Sequence, residues 1–177
     1  MGGLKKITKK NFLPTTNLGM VPVYAEKLNE VIDEISGQNE VIALTGDYTL
    51  TDQDYGKTIT VNNAAGLTVT LPSTKTENIG KSFKFLVLTT ITSNTFGIDT
   101  AATSDLFYGT VTIHDKDNNA NDSYFVPDGS DDDSYDANGG TKGGMAGDVL
   151  TVTCIAANKW FVEGYTRGDG TLATPFS

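Results

Sequence analysis

A two-residue alternation of apolar and hydroxyl side chains dominates the chain from about residue 40 onwards. The clearest runs are residues 57–61, KTITV, and 67–71, LTVTL, in which apolar side chains alternate with threonines. Such alternation places apolar groups on one face of an extended strand and hydroxyls on the other. Residues 62–66, NNAAG, lie between the two runs and are typical of a turn. The pattern therefore predicts β-structure in this region.

Further runs of the same kind indicate that most of the chain is built from short strands. We predict them at residues 48–51, 57–61, 67–71, 82–88, 95–99, 106–114, 148–156 and 159–165. Short strands with turn residues between them are typical of sandwiches and barrels. The predicted fold is all-β, an antiparallel β-sandwich or barrel of jelly-roll-like form spanning residues 38–165.

Two of these strands carry more specific expectations. Residues 157–158, Ala-Asn, connect the last two runs, and Asn tolerates the left-handed conformation of a tight hairpin turn. Alternation alone leaves open which face of the final strand, that of Trp160 or that of Phe161, meets the core. In residues 82–88 one face is aromatic and the other nearly apolar, which indicates a strand covered on both sides.

One helix is predicted, at residues 22–37, with Pro22 in its first turn and Gly37 as its C-cap. Its apolar stripe includes Tyr24, Leu28, Val31 and Ile35. A helix this short is marginal by itself, so the stripe requires a partner. The partner is either the chain's own β domain or another copy. The four, three, four spacing is that of the a and d positions of a short coiled coil, and we therefore assign these four residues to oligomerisation as a hypothesis.

Three remaining segments lack regular periodicity. Residues 1–21 are expected to form an extended N-terminal arm, and residues 166–177 a short irregular C-terminal tail. Residues 115–147 are rich in Asp, Asn, Gly and Ser and are expected to form a long surface loop within the β domain. Loops of this length are usually functional, so variation or partner contact is expected there.

Charge separates the arm from the rest of the chain. The 177 residues carry 13 basic and 22 acidic side chains, a net charge of −9. The arm holds four lysines and no acid, so the remainder has 13 − 4 = 9 basic against 22 acidic residues, or −13. So acidic a chain beyond the arm disfavours binding to nucleic acid, because its carboxylates repel the phosphates. The arm is either a solvated terminus or a docking segment, and the docking residues would be Lys5, Lys6, Lys9 and Lys10.

The chain offers few residues for catalysis. The only histidine, His114, is followed by Asp115, whose side chain points to the opposite face of a strand, so the two form a poor dyad. The only cysteine, Cys154, falls on the apolar side of its run and is expected to be buried. We therefore predict no catalytic residue, no cofactor site and no enzyme. Glycoside hydrolysis by a pair of carboxylates stays an alternative, because the chain has 22 acidic residues and their separations in space are not given by the sequence.

Neither a membrane span nor a metal site is predicted. No apolar run approaches the roughly 20 residues of a spanning helix, and no apolar region follows the basic start. Asp115, Asp117 and Asn119 match positions one, three and five of an EF-hand loop, but Ala120 and Val126 replace its Gly and Glu. The aspartates of residues 128–136 complete no known loop. A solvated acidic loop is the preferred interpretation, and calcium is the alternative.

Two strings resemble virion proteins of tailed bacteriophages, namely capsid decoration or cement proteins and related head fibres. They are GKTITVNNAAGLTVTLP, within residues 49–72, and GDVLTVTCIAANKWFVEGY, within residues 147–165, about a quarter of the chain. The acidic string SDDDSYDANGG is similar to a loop of such proteins. These motifs are structural and not catalytic.

The resemblance implies a homotrimeric β protein that binds the major capsid protein on the outer surface of a phage head and stabilises the shell. Such a protein is made in the host cytoplasm and ends on the virion, with no nucleic-acid or membrane partner. The alternative is a tail fibre or adhesin domain that binds a host glycan through residues 115–147. A small glycan hydrolase is a third hypothesis. Because no internal repeat is visible, decoration is preferred over a fibre.

Overall fold

A computed structural model describes residues 26–29, 31, 40–117 and 121–177 of the chain. Residues 26–29 and 31 are helical, and the other described residues contain two β-sheets and a short 3₁₀ turn at Thr76–Asn78. The strands are β1 Val41–Leu44, β2 Tyr48–Thr49, β3 Thr58–Val61, β4 Leu67–Thr70, β5 Ser82–Val87, β6 Phe96–Asp99, β7 Leu106–Asp115, β8 Ser123–Phe125, β9 Ser134–Ala137, β10 Val149–Ala156 and β11 Lys159–Gly168. The all-β prediction is confirmed, and every predicted run contains a strand.

The two sheets have different sizes, and the first six strands alternate between them along the chain. The larger has seven strands in the order β1-β3-β5-β10-β11-β7-β8, and the smaller has four in the order β2-β4-β6-β9. The chain therefore crosses from the large sheet to the small sheet in each of the pairs β1 to β2, β3 to β4 and β5 to β6.

These three early pairs stack in parallel, which the sequence analysis did not predict. β1 pairs with β3 and β3 with β5 in parallel, and β2, β4 and β6 do the same in the small sheet. The pairing of β7 with β11 is also parallel. The expectation of antiparallel pairing is therefore wrong for five pairings. Alternation fixes which face of a strand is apolar, but it carries no information about strand direction.

The remaining four pairings are antiparallel: β6 with β9, β7 with β8, and two that involve β10. This strand pairs with β5 on one side and β11 on the other. The β10–β11 connection is the predicted hairpin, and Asn158 adopts a left-handed φ of 59° within it. The hairpin prediction is confirmed, since its turn residue meets the local backbone requirement.

Aromatic side chains between the two sheets form the centre of one core. Phe85 of the large sheet and Phe96 of the small sheet have ring centroids 6.0 Å apart. Phe83 lies 6.2 Å from Trp160 and 4.4 Å from the stacked ring of Tyr55. Trp160 is wholly buried, so its face of β11 meets the core and the face of Phe161 points outward.

The acidic segment 115–147 and the C-terminal tail contain more structure than predicted. The segment includes β8 and β9, and Tyr135 on β9 is wholly buried. Phe176 packs 5.8 Å from the Tyr135 ring, and Ser177 exchanges backbone hydrogen bonds with Ser134. β11 itself runs to Gly168, three residues beyond the predicted end of the β domain. The aromatic residues Tyr135 and Phe176, which are isolated in polar sequence, thus lie in the two segments at the edge of the small sheet.

Gly109 provides a test of the parallel β7–β11 pairing. It has φ +116°, and an added Cβ would lie 2.0 Å from the Val162 carbonyl oxygen on β11. We expect Gly109→Ala to lower the free energy of unfolding by at least about 3 kcal/mol, because backbone strain and a backbone clash add. Gly80→Ala is the matched control, since Gly80 has φ +87° but open space around it. It should cost about 1 kcal/mol. Equal losses in urea unfolding of the two variants would contradict the pairing.

Candidate functional site

The hypothesised oligomerisation helix is described only in part. Residues 26–29 and 31 are helical, in agreement with the prediction, and the side chains of Leu28 and Val31 are 41% and 48% exposed. Two apolar side chains of the predicted stripe are thus accessible in the single chain. Tyr24 and Ile35 lie outside the described residues, as do the four hypothesised docking residues Lys5, Lys6, Lys9 and Lys10.

A second exposed surface was not predicted, because it depends on which sheet face is covered. We call it the outer sheet face: the side of the large sheet turned away from the small sheet, centred on Lys84, Leu86, Thr151, Phe161, Glu163 and Tyr165. Tyr165 is 72% exposed, and Tyr124, which continues this face on β8, is 75% exposed. The expectation that β5 is covered on both sides is not met within the described residues, where Lys84 and Leu88 are exposed.

The middle of the outer sheet face is a shallow groove of about 500 Å³. Phe161 and Tyr165 lie on β11 on either side of Glu163, and the smaller Thr151 of β10 forms part of the floor. The groove combines aromatic side walls, hydroxyl groups and one charge of each sign. Amphipathic aromatic residues with few charges are typical of binding surfaces. The only sequence signal for this surface was the nearly apolar second face of residues 82–88.

His114 lies at the end of β7 beside the outer sheet face. Its Nδ1 is 2.9 Å from a carboxylate oxygen of Asp122, and its ring stacks on Tyr165 with centroids 6.3 Å apart. The hydrogen bond from His114 lowers the pKa of Asp122. Asp115 points to the other face and is buried, as the alternation predicted. His114 is an exposed residue at a strand end, and it is engaged with a carboxylate on one side and an aromatic ring on the other.

The carboxylates of the proposed EF-hand pattern are used to hold the chain. Asp115 accepts hydrogen bonds from the backbone N–H of Asp117 at 3.0 Å and from Asn121 Nδ2 at 3.2 Å. Lys116 forms ion pairs with Asp117 and with Asp169, and its hydrogen bond lowers the pKa of Asp169. Asn119 lies outside the described residues. Among the residues that are described, no group of three or more potential metal ligands is found.

The aspartate-rich string of residues 128–136 contains similar internal contacts. Asp128 accepts hydrogen bonds from the backbone N–H and the hydroxyl of Ser130. The buried Asp132 accepts one from the backbone N–H of Asp128. Aspartate favours such contacts because its short side chain reaches nearby backbone donors. These carboxylates shape the turn that leads into β9.

Asp148 lies directly before β10 and accepts four hydrogen bonds, which gives the Gly147-Asp148 pair of the sequence a structural role. It accepts hydrogen bonds from the backbone N–H groups of Gly144 and Met145, both at 2.9 Å. The backbone N–H of Arg167 donates to it at 3.1 Å and the Arg167 Nε at 3.3 Å. Burial raises the pKa of Asp148, and the hydrogen bonds oppose that rise. One side chain thus joins the glycine-rich loop to the end of β11.

Cys154 is wholly buried in the core, as predicted. Burial raises the pKa of its thiol, which disfavours the reactive thiolate form. The side chain therefore contributes apolar packing next to Trp160, with which it is paired across β10 and β11.

Comparisons with protein-family models, with curated proteins and with solved structures yield no significant match to this chain. A helix with the length and apolarity needed to cross a membrane is not found among the described residues.

Asp148→Asn tests whether this carboxylate joins the loop to β11. The amide keeps one acceptor oxygen but turns an N–H₂ group towards backbone donors, and the Arg167 guanidinium loses its counter-charge. We expect the free energy of unfolding to fall by about 3 kcal/mol, measured by urea denaturation. The control, Asp169→Asn, removes a solvent-exposed ion pair and should leave stability nearly unchanged. An Asp148→Asn protein as stable as the control would refute the assignment.

Proposed function

We propose that the chain is a non-enzymatic virion structural protein, a capsid decoration or cement protein that binds the outer surface of a phage head and stabilises the shell. The observation that carries this proposal is how the chemically capable side chains are used. Cys154 is a core residue, His114 holds Asp122, and the buried Asp115 and Asp148 fix turns. These groups support the architecture, which favours a structural role over catalysis.

The charge distribution suits attachment to a shell. The residues beyond position 10 carry a net charge of −13, whereas the first ten hold four lysines and no acid. An acidic body stays soluble, and a separate basic arm is attracted to carboxylates on a capsid surface. The partner is the major capsid protein, and the protein is made in the host cytoplasm before it joins the virion. Many equivalent contacts on one shell then add up to strong attachment.

The helix provides a route to the homotrimer. Leu28 and Val31 each leave more than 40% of their area accessible in the single chain. Burying this stripe between copies would remove apolar surface from water, which is the main driving force for association of such helices. The β domain we propose is a sandwich, because its two sheets share a single core.

A second candidate function is favoured by the groove on the outer sheet face. The rings of Phe161 and Tyr165 flank Glu163, and threonine hydroxyls line the floor. Aromatic faces with nearby hydrogen-bonding groups suit a sugar, so a tail fibre or adhesin domain that binds a host glycan is the alternative. Its site would be this groove and not the segment 115–147. A glycan array probed with the purified protein, together with electron microscopy of particles, separates a head protein from an adhesin.

Deletion of residues 1–21 tests the docking role of the arm. We expect the truncated protein to lose binding to capsids that lack the protein, while thermal unfolding of the β domain stays nearly unchanged, since the strands begin at Val41. Co-sedimentation with the capsids measures binding. As a charge control, we expect replacement of Lys5, Lys6, Lys9 and Lys10 by Gln to weaken capsid binding. The binding that remains should vary less with salt concentration than that of the wild-type protein. Full binding by both proteins would contradict the role.

The double variant Leu28→Glu, Val31→Glu tests assembly through the helix. Two carboxylates in an apolar seam repel and require solvation, so we expect the assembly to dissociate. Sedimentation equilibrium gives the mass, and far-ultraviolet circular dichroism checks that the β domain is retained. Glu26→Lys changes charge at an exposed helical position on the opposite side from the a and d residues and should leave the mass unchanged. An unaltered mass for the double variant would exclude the helix as the assembly element.

A further inference from the structure

On the outer sheet face, two opposite charges lie symmetrically on either side of the central strand, β10. β10 lies fourth in the seven-stranded order, with β1, β3 and β5 on one side and β11, β7 and β8 on the other. On this face Thr151 of β10 is in register with Lys84 of β5 and with Glu163 of β11. Because neighbouring strands are about 4.8 Å apart, the two charges lie at equal distances from β10 on opposite sides.

Neither of these two charges forms an ion pair in the described part of the chain. Lys84 and Glu163 are both exposed, and the ion pairs found among the described residues include neither of them. They are separated by the width of two strands, with the short Thr151 side chain between them. Two exposed charges of opposite sign in fixed register can pair with a partner surface that carries the complementary pattern.

Side-chain size is also distributed unequally about β10. One row across the face runs in register from Ala43 on β1 through Leu86 and Val149 to Tyr165 and Tyr124. In this row the two tyrosines lie on the β8 side of Val149, whereas Ala43 and Leu86 lie on the β1 side. On the other side of the charged row, the small Ser82 of β5 and the aromatic Phe161 of β11 lie on opposite sides of Thr153.

We propose that the outer sheet face binds the same face of a second copy of this chain, about a two-fold axis parallel to β10. That rotation exchanges the two sides of the sheet. It places Lys84 opposite Glu163 of the second copy, and the same pair forms again across the axis. It also places Tyr165 over Leu86, and Phe161 over Ser82, so large side chains meet smaller ones. A two-fold interface requires such self-complementarity.

The interface follows the ordinary dimensions of packed sheets. Two sheets that meet face to face lie about 10 Å apart, a gap that a lysine and a glutamate can span from opposite sides. The apolar rows on either side of the charged row would be removed from water, and the two ion pairs would fix the register. The inference uses only the charge, register and exposure of β-strand residues, so it does not depend on the virion role or on the helix.

Charge reversal in the full-length chain tests the proposal. Lys84→Glu creates two like-charge contacts in the interface, and so does Glu163→Lys. Each should weaken the two-fold association roughly 100-fold, so that sedimentation equilibrium at low salt gives half the wild-type mass. The chain with both changes regains opposite charges and should regain the wild-type mass. An equimolar mixture of the two single variants should likewise associate.

Matched controls separate this effect from a general change of charge. Lys81→Glu and Glu77→Lys make the same formal changes at exposed positions outside the outer sheet face and should keep the wild-type mass. Circular dichroism and thermal unfolding establish that every variant is folded. The proposal is overturned if the single variants keep the wild-type mass, or if the double variant and the mixture stay dissociated. Glycan binding that is lost in Glu163→Lys without any change of mass would also overturn it, in favour of a sugar site.

Discussion

Apolar contact between the two sheets is the constraint on which the rest of this structure depends. Each of the early strand pairs places one strand in each sheet, and aromatic rings between the sheets hold the two layers together. Phe85 and Phe96 meet across the core, and Trp160 reaches the same region from β11. Neither sheet alone would bury its apolar face, since a single sheet needs a second layer to cover it. The parallel stacking of β1, β3 and β5 brings successive pairs onto one continuous core.

The acidic residues have a different role from the one that their number suggests. Asp54, Asp115 and Asp148 are buried carboxylates that accept hydrogen bonds from nearby donors in loops. In Asp54, burial raises the pKa, but hydrogen bonds from Thr51 and Lys57 outweigh it and the net pKa is lowered. A buried carboxylate is tolerated where such donors are fixed around it. The loops are thereby held to the sheets.

The exposed surfaces divide into two kinds. The outer sheet face is a rigid surface built on long paired strands, with its charges in fixed register. The helical residues Leu28 and Val31 precede the β domain and expose single apolar side chains. The first kind is suited to a specific contact with a defined geometry, because a rigid surface loses little conformational entropy on binding. The second is suited to association through a repeated apolar stripe, and together they allow the chain to make contacts of different symmetry.

The sequence by itself determined the positions of eight of the eleven described strands, the β10–β11 hairpin, the burial of Cys154 and the separation of His114 from Asp115. These features follow from alternation and turn chemistry within a few residues. Only the tertiary structure decided strand direction, the face of β11 that carries Trp160, and the incorporation of Tyr135 and Phe176 into the core. Each of these features depends on contacts with residues that are distant in the sequence, and local sequence patterns do not identify those residues. The outer sheet face could not be predicted from the sequence for the same reason. Which face of the large sheet is exposed is known only when it is known which face packs against the small sheet.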